Sequence, residues 1–315
     1  MNKRQVLLDL VNGTGPAEYV PAAFFMHFDE QHKLGRAAVD KHLEFFRSTS
    51  MDFVKIQYEQ GFPPGPPILK PRDWPLVAPA PEGFFEETFS VVRGLVEAAG
   101  KEALVIMTIY SPFMWATHIG KDVDIVAHLM ADPEPVRQGL AVLTENVRRL
   151  VRGCRKAGVD GFYISTQGGE AFRFGSSELF GRYIKPTDLA VWEAVGDCPF
   201  NILHICDYEG GYESLAPFLD YPGQVVNCSL KLGERTLTTR ALAKMFGRPI
   251  MGGLERKGVL ATGSLFEVRQ AAQAVLADAP ERFILAADCT VPAETSWENL
   301  RVAVEAAHRA RGTVD

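Results

Sequence analysis

No stretch of this 315-residue chain approaches the ~18 consecutive apolar residues that a membrane-spanning helix requires. Basic clusters are missing too. Lys and Arg number 33 against 39 Asp and Glu, a formal charge of −6 with no block of one sign, which argues against nucleic acid as a partner. The longest acidic cluster, Glu86-Glu87, reads as an ordinary solvated helix start. Cysteine is scarce and odd in number, five residues spread over half the chain, which suits a reducing cytoplasm better than a disulfide framework. The opening residues, MNKRQVLLDLVNG, lack the apolar core and cleavage site of a secretory signal and read as a short amphipathic helix packed on the body.

What is present is a rhythm. Short apolar runs recur as strand candidates: PAAFFMHF (21–28), DFVKIQYE (52–59), ALVIMTIY (103–110), DGFYIST (160–166), FNILHIC (200–206), QVVNCSL (224–230), RPIMGGL (248–254) and RFILAAD (282–288). Helical patterns follow them at about 36–49, 84–99, 133–157, 176–195, 212–219, 236–246, 264–278 and 296–310. Start signals such as Asp132-Pro133-Glu134, Ser176-Ser177-Glu178 and Thr295-Ser296-Trp297-Glu298 support several of these. Near-continuous apolar strands are buried on both faces, and eight β/α units in series predict one α/β domain over 1–315, a (β/α)8 TIM barrel. The competing doubly wound sheet lacks its Gly-rich phosphate turn after the first strand. Residues 1–20 form an N-terminal extension. A Pro-rich loop, 60–83, follows the second strand; the segment 61–85 holds eight prolines, which exclude regular structure. Leaving the C-terminal end of a strand, it is either a lid over the mouth or a packed brace without ligand contact.

In such a barrel the polar residues at the strand ends converge on one opening. They are His27 and Asp29; Gln57, Tyr58 and Glu59; Tyr110 and Ser111; Thr166 and Gln167; His204, Cys206 and Asp207; Asn227 and Cys228; Glu255; and Asp288 and Cys289. Strand side chains alternate, so His204 and Cys206 share one face, and Phe283, Leu285, Ala287 and Cys289 share another. If both faces point inward, one imidazole and two thiols meet over the axis, a donor set suited to zinc with an open fourth position, as in catalytic sites. The competing reading is that buried cysteines only fill the core. Cys154 and Cys198 read as structural, and Cys228 is left open because the register of its strand is undetermined. His32, His42, His118, His128 and His308 are assigned to surface or helix faces. Glu59 is either a fourth ligand or general base or a carboxylate bonded at a loop start; His27 and Asp29 contact substrate, or His27 is a satisfied core histidine.

From about residue 21 to 310 the chain resembles the uroporphyrinogen decarboxylase superfamily of TIM barrels, through AGVDGFYISTQGG (157–169), FGRYIKP (180–186), ILHICD (202–207), MGGLERKGVLATGS (251–264) and DCTVPAETSWENLRVAVEAA (288–307). Decarboxylases proper carry an R-Q-A-G-R signature after the first strand; here MHFDEQHKLGR keeps only Gly35-Arg36, amid acidic groups that would repel a polyanion. The resemblance therefore points to the branch of methyltransferases that use zinc and a corrinoid. It implies that His204, Cys206 and Cys289 hold the metal and that Tyr163 and Gln167 lie near substrate, although Tyr163 has packing as an alternative; by their place at the mouth, Glu59 and His27 are read as catalytic and Asp29, Gln57, Tyr58 and Asn227 as facing substrate. It further implies methyl exchange between methylcobalamin, presented by a separate corrinoid protein, and a small thiol, ether or amine. Asp207 replaces a common glycine, and Asp288-Cys289-Thr290 replaces Gly-Cys-Gly. A metal-free lyase and a non-catalytic ligand-binding member are the alternatives.

Overall fold

The computed structural model describes residues 2–14, 19–65, 67–119, 124–174 and 177–310. Seven parallel strands, β1 (Phe53–Ile56), β2 (Leu104–Tyr110), β3 (Gly161–Thr166), β4 (Ile202–Ile205), β5 (Val225–Cys228), β6 (Ile250–Leu254) and β7 (Phe283–Ala287), lie side by side in chain order in one curled sheet. Nearly every strand residue is buried, as their unbroken apolar sequences require. Helices cover the outer face: α1 (Lys3–Asn12), α2 (Gly35–Thr49), α3 (Glu86–Ala99), α4 (Pro112–His118), α5 (Ile125–Ala131), α6 (Pro133–Lys156), α7 (Lys185–Val195), α8 (Thr239–Phe246), α9 (Leu265–Ala277) and α10 (Trp297–Arg309). α1 seats Leu7 and Leu10 on the body, as its amphipathic sequence predicts.

The expected first strand is different. Residues 21–28 run extended but make a single parallel bridge, Ala22 to Leu285, so the regular sheet has seven strands rather than eight. The cause is local. The Ala22 N–H donates to the Asp52 carboxylate (2.8 Å) and the Phe24 N–H to the Met51 sulfur (3.0 Å), so two donors that a ladder would use are taken by side chains. The segment still meets both flanks of the sheet, because Leu285 N–H donates to Pro21 O and Asp52 N–H to Ala22 O.

Other elements also depart from expectation. The predicted helix at 212–219 is only a 3-10 turn, Ala216–Phe218; a proline at 217 and a segment too short to nucleate leave one turn. The helix expected over 176–195 forms from Ser177 to Val195, but with a π-helical stretch, Phe180–Ile184, between its first turn, Ser177–Leu179, and α7; Ser176 lies outside the described residues. α4, α5 and a small antiparallel ladder, Lys231–Leu232 with Arg235–Thr236, were not anticipated. The Pro-rich loop is braced on α6. Trp74 is fully buried against Gly139, where a Cβ would stand 2.6 Å from the indole. Ala80 N–H donates to Asn146, and Arg149 donates to Ala80 O.

Candidate functional site

Register decides which side chains enter the sheet's interior. Thr108 pairs with Tyr163, and Ser165, His204 and Asn227 form one cross-strand row. Alternation then puts Lys55 and Gln57, Thr108 and Tyr110, Tyr163, Ser165 and Gln167, and His204 and Cys206 on the inner side. Cys228 is out of phase with Asn227 and so turns to the outer face, where burial pushes its thiol up. A cavity of about 570 Å³ opens above this row, walled in part by Lys55, Tyr110, Tyr163, Gln167, Arg256 and Thr290.

His204, Cys206 and Cys289 meet at this cavity. Their ligand atoms all lie within 4.8 Å of one another, and all three residues are buried. Cys289 Sγ is 3.3 Å from His204 Nε2. The other ring nitrogen, Nδ1, sits 3.3 Å from the Asn227 carbonyl, which can only accept; Nδ1 therefore donates, and Nε2 is left facing the thiols. Tyr163 stacks on the imidazole at 4.8 Å, and its hydroxyl donates to Asn227 Oδ1 at 2.6 Å. Asn227 spends its amide on the Met251 and Ala287 carbonyls. Gln167 donates to Cys206 Sγ at 3.4 Å. A hydrogen bond with Cys289 holds the Cys206 thiol well below its ordinary pKa and pushes Cys289 up, so the pair shares one proton. Three such groups could hold a metal ion.

The two cysteine-bearing loops are joined by Arg256. Its guanidinium donates to Asp207 at 2.7 Å and lies 3.5 Å from Asp288, while its own N–H donates to Asp288 at 2.8 Å. The Asp residues that replace glycine beside Cys206 and before Cys289 are thus the two ends of one clamp.

The remaining predicted residues separate. Gln57 lines the cavity, accepts from Lys55 and reaches Thr290 at 3.4 Å. His27 also lines it, half exposed, with Nδ1 2.8 Å from the nearly buried Glu59 carboxylate. Glu59 is not in the ligand group. Tyr58 is buried in an aromatic cluster with Phe62, Tyr110 and Trp115 and donates to Gly61 O; it is not among the cavity walls. Asp29 is exposed and bonded to His32, which holds its carboxyl below the usual range. Of the histidines assigned to surface or helix faces, His42 lies on the buried face of α2 against Phe28, and His118, at the end of α4, stacks on Phe62 at 4.5 Å along the cavity wall. Burial set by neighbouring elements, invisible in helical spacing, decides those places. Lys55 and Arg256 were missed. Lys55 had a signal, since positions 55, 57 and 59 place polar side chains on one side of an apolar strand; Arg256 had none.

The sequence profile of uroporphyrinogen decarboxylase matches residues 50–310. The chain belongs to the uroporphyrinogen decarboxylase family. Among solved structures, this family member is similar to a methyltransferase from Methanosarcina mazei, with a TM-score of 0.79 at 16% identity over 98% of both chains. It is also similar to a B12-independent methionine synthase from Shewanella sp. W3-18-1 in complex with selenomethionine, with a TM-score of 0.59 at 12% identity over 91% of this chain and 97% of that one. No curated protein matches it in sequence. At these identities the likeness is one of fold. Among the described residues no helix is long and apolar enough to cross a membrane.

Proposed function

We propose that this uroporphyrinogen decarboxylase family member is a zinc-dependent methyltransferase that moves a methyl group between a corrinoid, delivered by a separate protein, and a small thiol, ether or amine. The observation that carries the reading is the convergence of His204, Cys206 and Cys289 on the cavity. The donor set fits zinc: one imidazole nitrogen turned toward two sulfurs, where a tetrahedral ion would want donors about 3.6–3.8 Å apart. The chemistry that zinc supplies when bound is deprotonation of a coordinated thiol, or Lewis-acid activation of an oxygen or nitrogen carrying the methyl group. The residues do the rest. Tyr163 and the Asn227 carbonyl fix the His204 ring, Gln167 donates to Cys206, and Arg256 holds the two cysteine loops together. His27 and Glu59, bonded to each other, stand where a proton can be passed at the mouth.

Decarboxylation of a porphyrinogen fits poorly. Arg36, which remains of the arginine signature, is exposed and paired with Asp40, and it is not among the cavity walls. Among the described residues lining the cavity, the one guanidinium, Arg256, is committed to Asp207 and Asp288, which leaves no forked cationic grip for several carboxylates. The methyltransferase and methionine synthase folds among its structural neighbours support the reading. Because one neighbour is described as B12-independent, the corrinoid requires its own assay.

The test is metal content of the purified protein beside that of a Cys206→Ala, Cys289→Ala double variant, together with thiol-dependent demethylation of methylcobalamin followed by absorbance. Zinc near one per chain that disappears in the double variant, with demethylation lost in parallel, is the expected result. A zinc-free wild type, or a Cys206→Ala enzyme of full activity, would sink the proposal.

A further inference from the structure

One buried cation of the cavity, Lys55, has no counter-charge among the described residues. Lys55 rises from β1 into the cavity and is buried to 5% of its accessible surface. Its ammonium donates to Gln57 Oε1 and to Thr108 Oγ1 (2.9 Å), and it lies over the rings of Phe25 (4.5 Å) and Tyr163 (4.4 Å). Among the described residues no carboxylate stands within ion-pairing distance of it. An ammonium has three donors, and this one uses two. The other cations of the cavity differ: Arg256 is committed to Asp207 and Asp288, and Lys257 is exposed.

A buried charge without a partner is costly, and neutral acceptors offset that cost only in part. Desolvation accordingly draws the Lys55 pKa down to about 7, against the pull of Cys289, Glu59 and Cys206 at longer range. Those charges are spoken for, since Glu59 is bonded to His27 and the thiols are the metal donors proposed above. What would complete the environment is an anion that arrives with the ligand.

We propose that Lys55, with Gln57 and Thr108, is an anion subsite in the cavity, so that the small molecule carries a carboxylate, sulfonate or similar group besides the atom that exchanges methyl. The identity of the reactive atom rests on the methyl-transfer reading; the subsite rests on Lys55 and its surroundings alone. Gln57 and Thr108 orient the ammonium, and the aromatic rings beside it keep water from screening the contact.

Calorimetric titration of the zinc-loaded protein with 3-mercaptopropionate and its neutral isostere 3-mercaptopropionamide tests the subsite. The wild type should bind the anion about tenfold more tightly, as a charged hydrogen bond implies. Lys55→Met should erase that preference while leaving the amide's affinity unchanged. Equal affinity of the wild type for both, or equal loss of both in Lys55→Met, would overturn the proposal. So would loss of zinc from Lys55→Met, which would make Lys55 a support of the metal donors. A metal-free arm separates this inference from the function on which it builds: propionate, and not propionamide, should raise the unfolding temperature of the stripped wild type and leave Lys55→Gln unmoved. If neither thiol binds the loaded protein, the thiol form of the methyl-transfer reading falls, and the propionate arm decides Lys55 alone.

Discussion

Arg256 holds two loops whose neighbouring residues are the thiols, so its contribution is measurable as affinity of the proposed zinc site rather than in the chemistry. Arg256→Met should weaken zinc binding by about 10–100-fold, the usual cost of removing a partner that orients metal ligands. Competition with a chromogenic chelator measures this, and an unchanged affinity would mean that the clamp orients nothing. His42 makes a separate prediction. Its Nδ1–H donates to Ala38 O at 2.8 Å, and its Nε2 accepts from the Gln57 N–H at 3.4 Å, so the neutral ring is satisfied on both sides. Burial lowers its pKa from 6.5 to about 4. Between those values the unfolded chain binds a proton that the native ring refuses; stability from this group is full above pH 6.5 and falls as pH drops toward 4, by about 3 kcal/mol. Asp188 acts in the opposite sense. Burial raises its pKa from 3.8 to about 7, so its contribution is lost as pH rises across that interval. Urea unfolding of His42→Leu beside wild type isolates the first effect: the wild type's advantage should shrink from pH 7 to pH 4, and a pH-independent difference would refute it.

Among the elements, the Pro-rich loop is where sequence and structure inform each other most. Its prolines read as excluding regular structure, yet Pro71–Leu76 forms a 3-10 helix with Pro71 at its first position, where no N–H is needed; both a lid and a brace were open readings. Packing answers for its length beyond residue 67: Trp74 fills the notch at Gly139, its Nε1–H donates to His128 at 3.0 Å, and Ile68 is buried. Phe62 at its start reaches the cavity wall. Trp74→Ala should therefore cost about 3–5 kcal/mol in urea unfolding, the range for a buried aromatic. Zinc content should not change, because the loop braces α6 and not the ligands. Destabilisation below about 1 kcal/mol would show that the loop is not held by this contact.

For the whole molecule, the core is large and continuous, running from Leu7 in α1 to Ala307 in α10. A core of that extent does not depend on a metal for folding, unlike small zinc domains. Stripping zinc with a chelator should leave native far-UV circular dichroism and a cooperative transition. The midpoint should fall by a few degrees, the linkage expected for a ligand bound only by the folded state. Loss of secondary structure on stripping would contradict this assignment of stability to the core.

Parallel strands buried on both faces were legible because such strands must be largely apolar, and seven of the eight expected runs appear in the sheet. Residues 21–28 looked the same but lost their ladder to Asp52 and Met51, side chains that periodicity does not register. In the site, the alternation of His204 and Cys206 was a local property of one strand, visible in HIC. Their meeting with Cys289 came from sequence phase plus an assumed curl of the sheet. The sequence by itself thus determined the chemistry of the donors and the strands that carry them. Tertiary structure decided what surrounds them: that Asn227 orients a histidine by its backbone carbonyl, that Arg256 spans two loops, and that Lys55 is buried without a carboxylate. Those are relations between residues far apart in the chain, set by register and packing, and no local pattern encodes them.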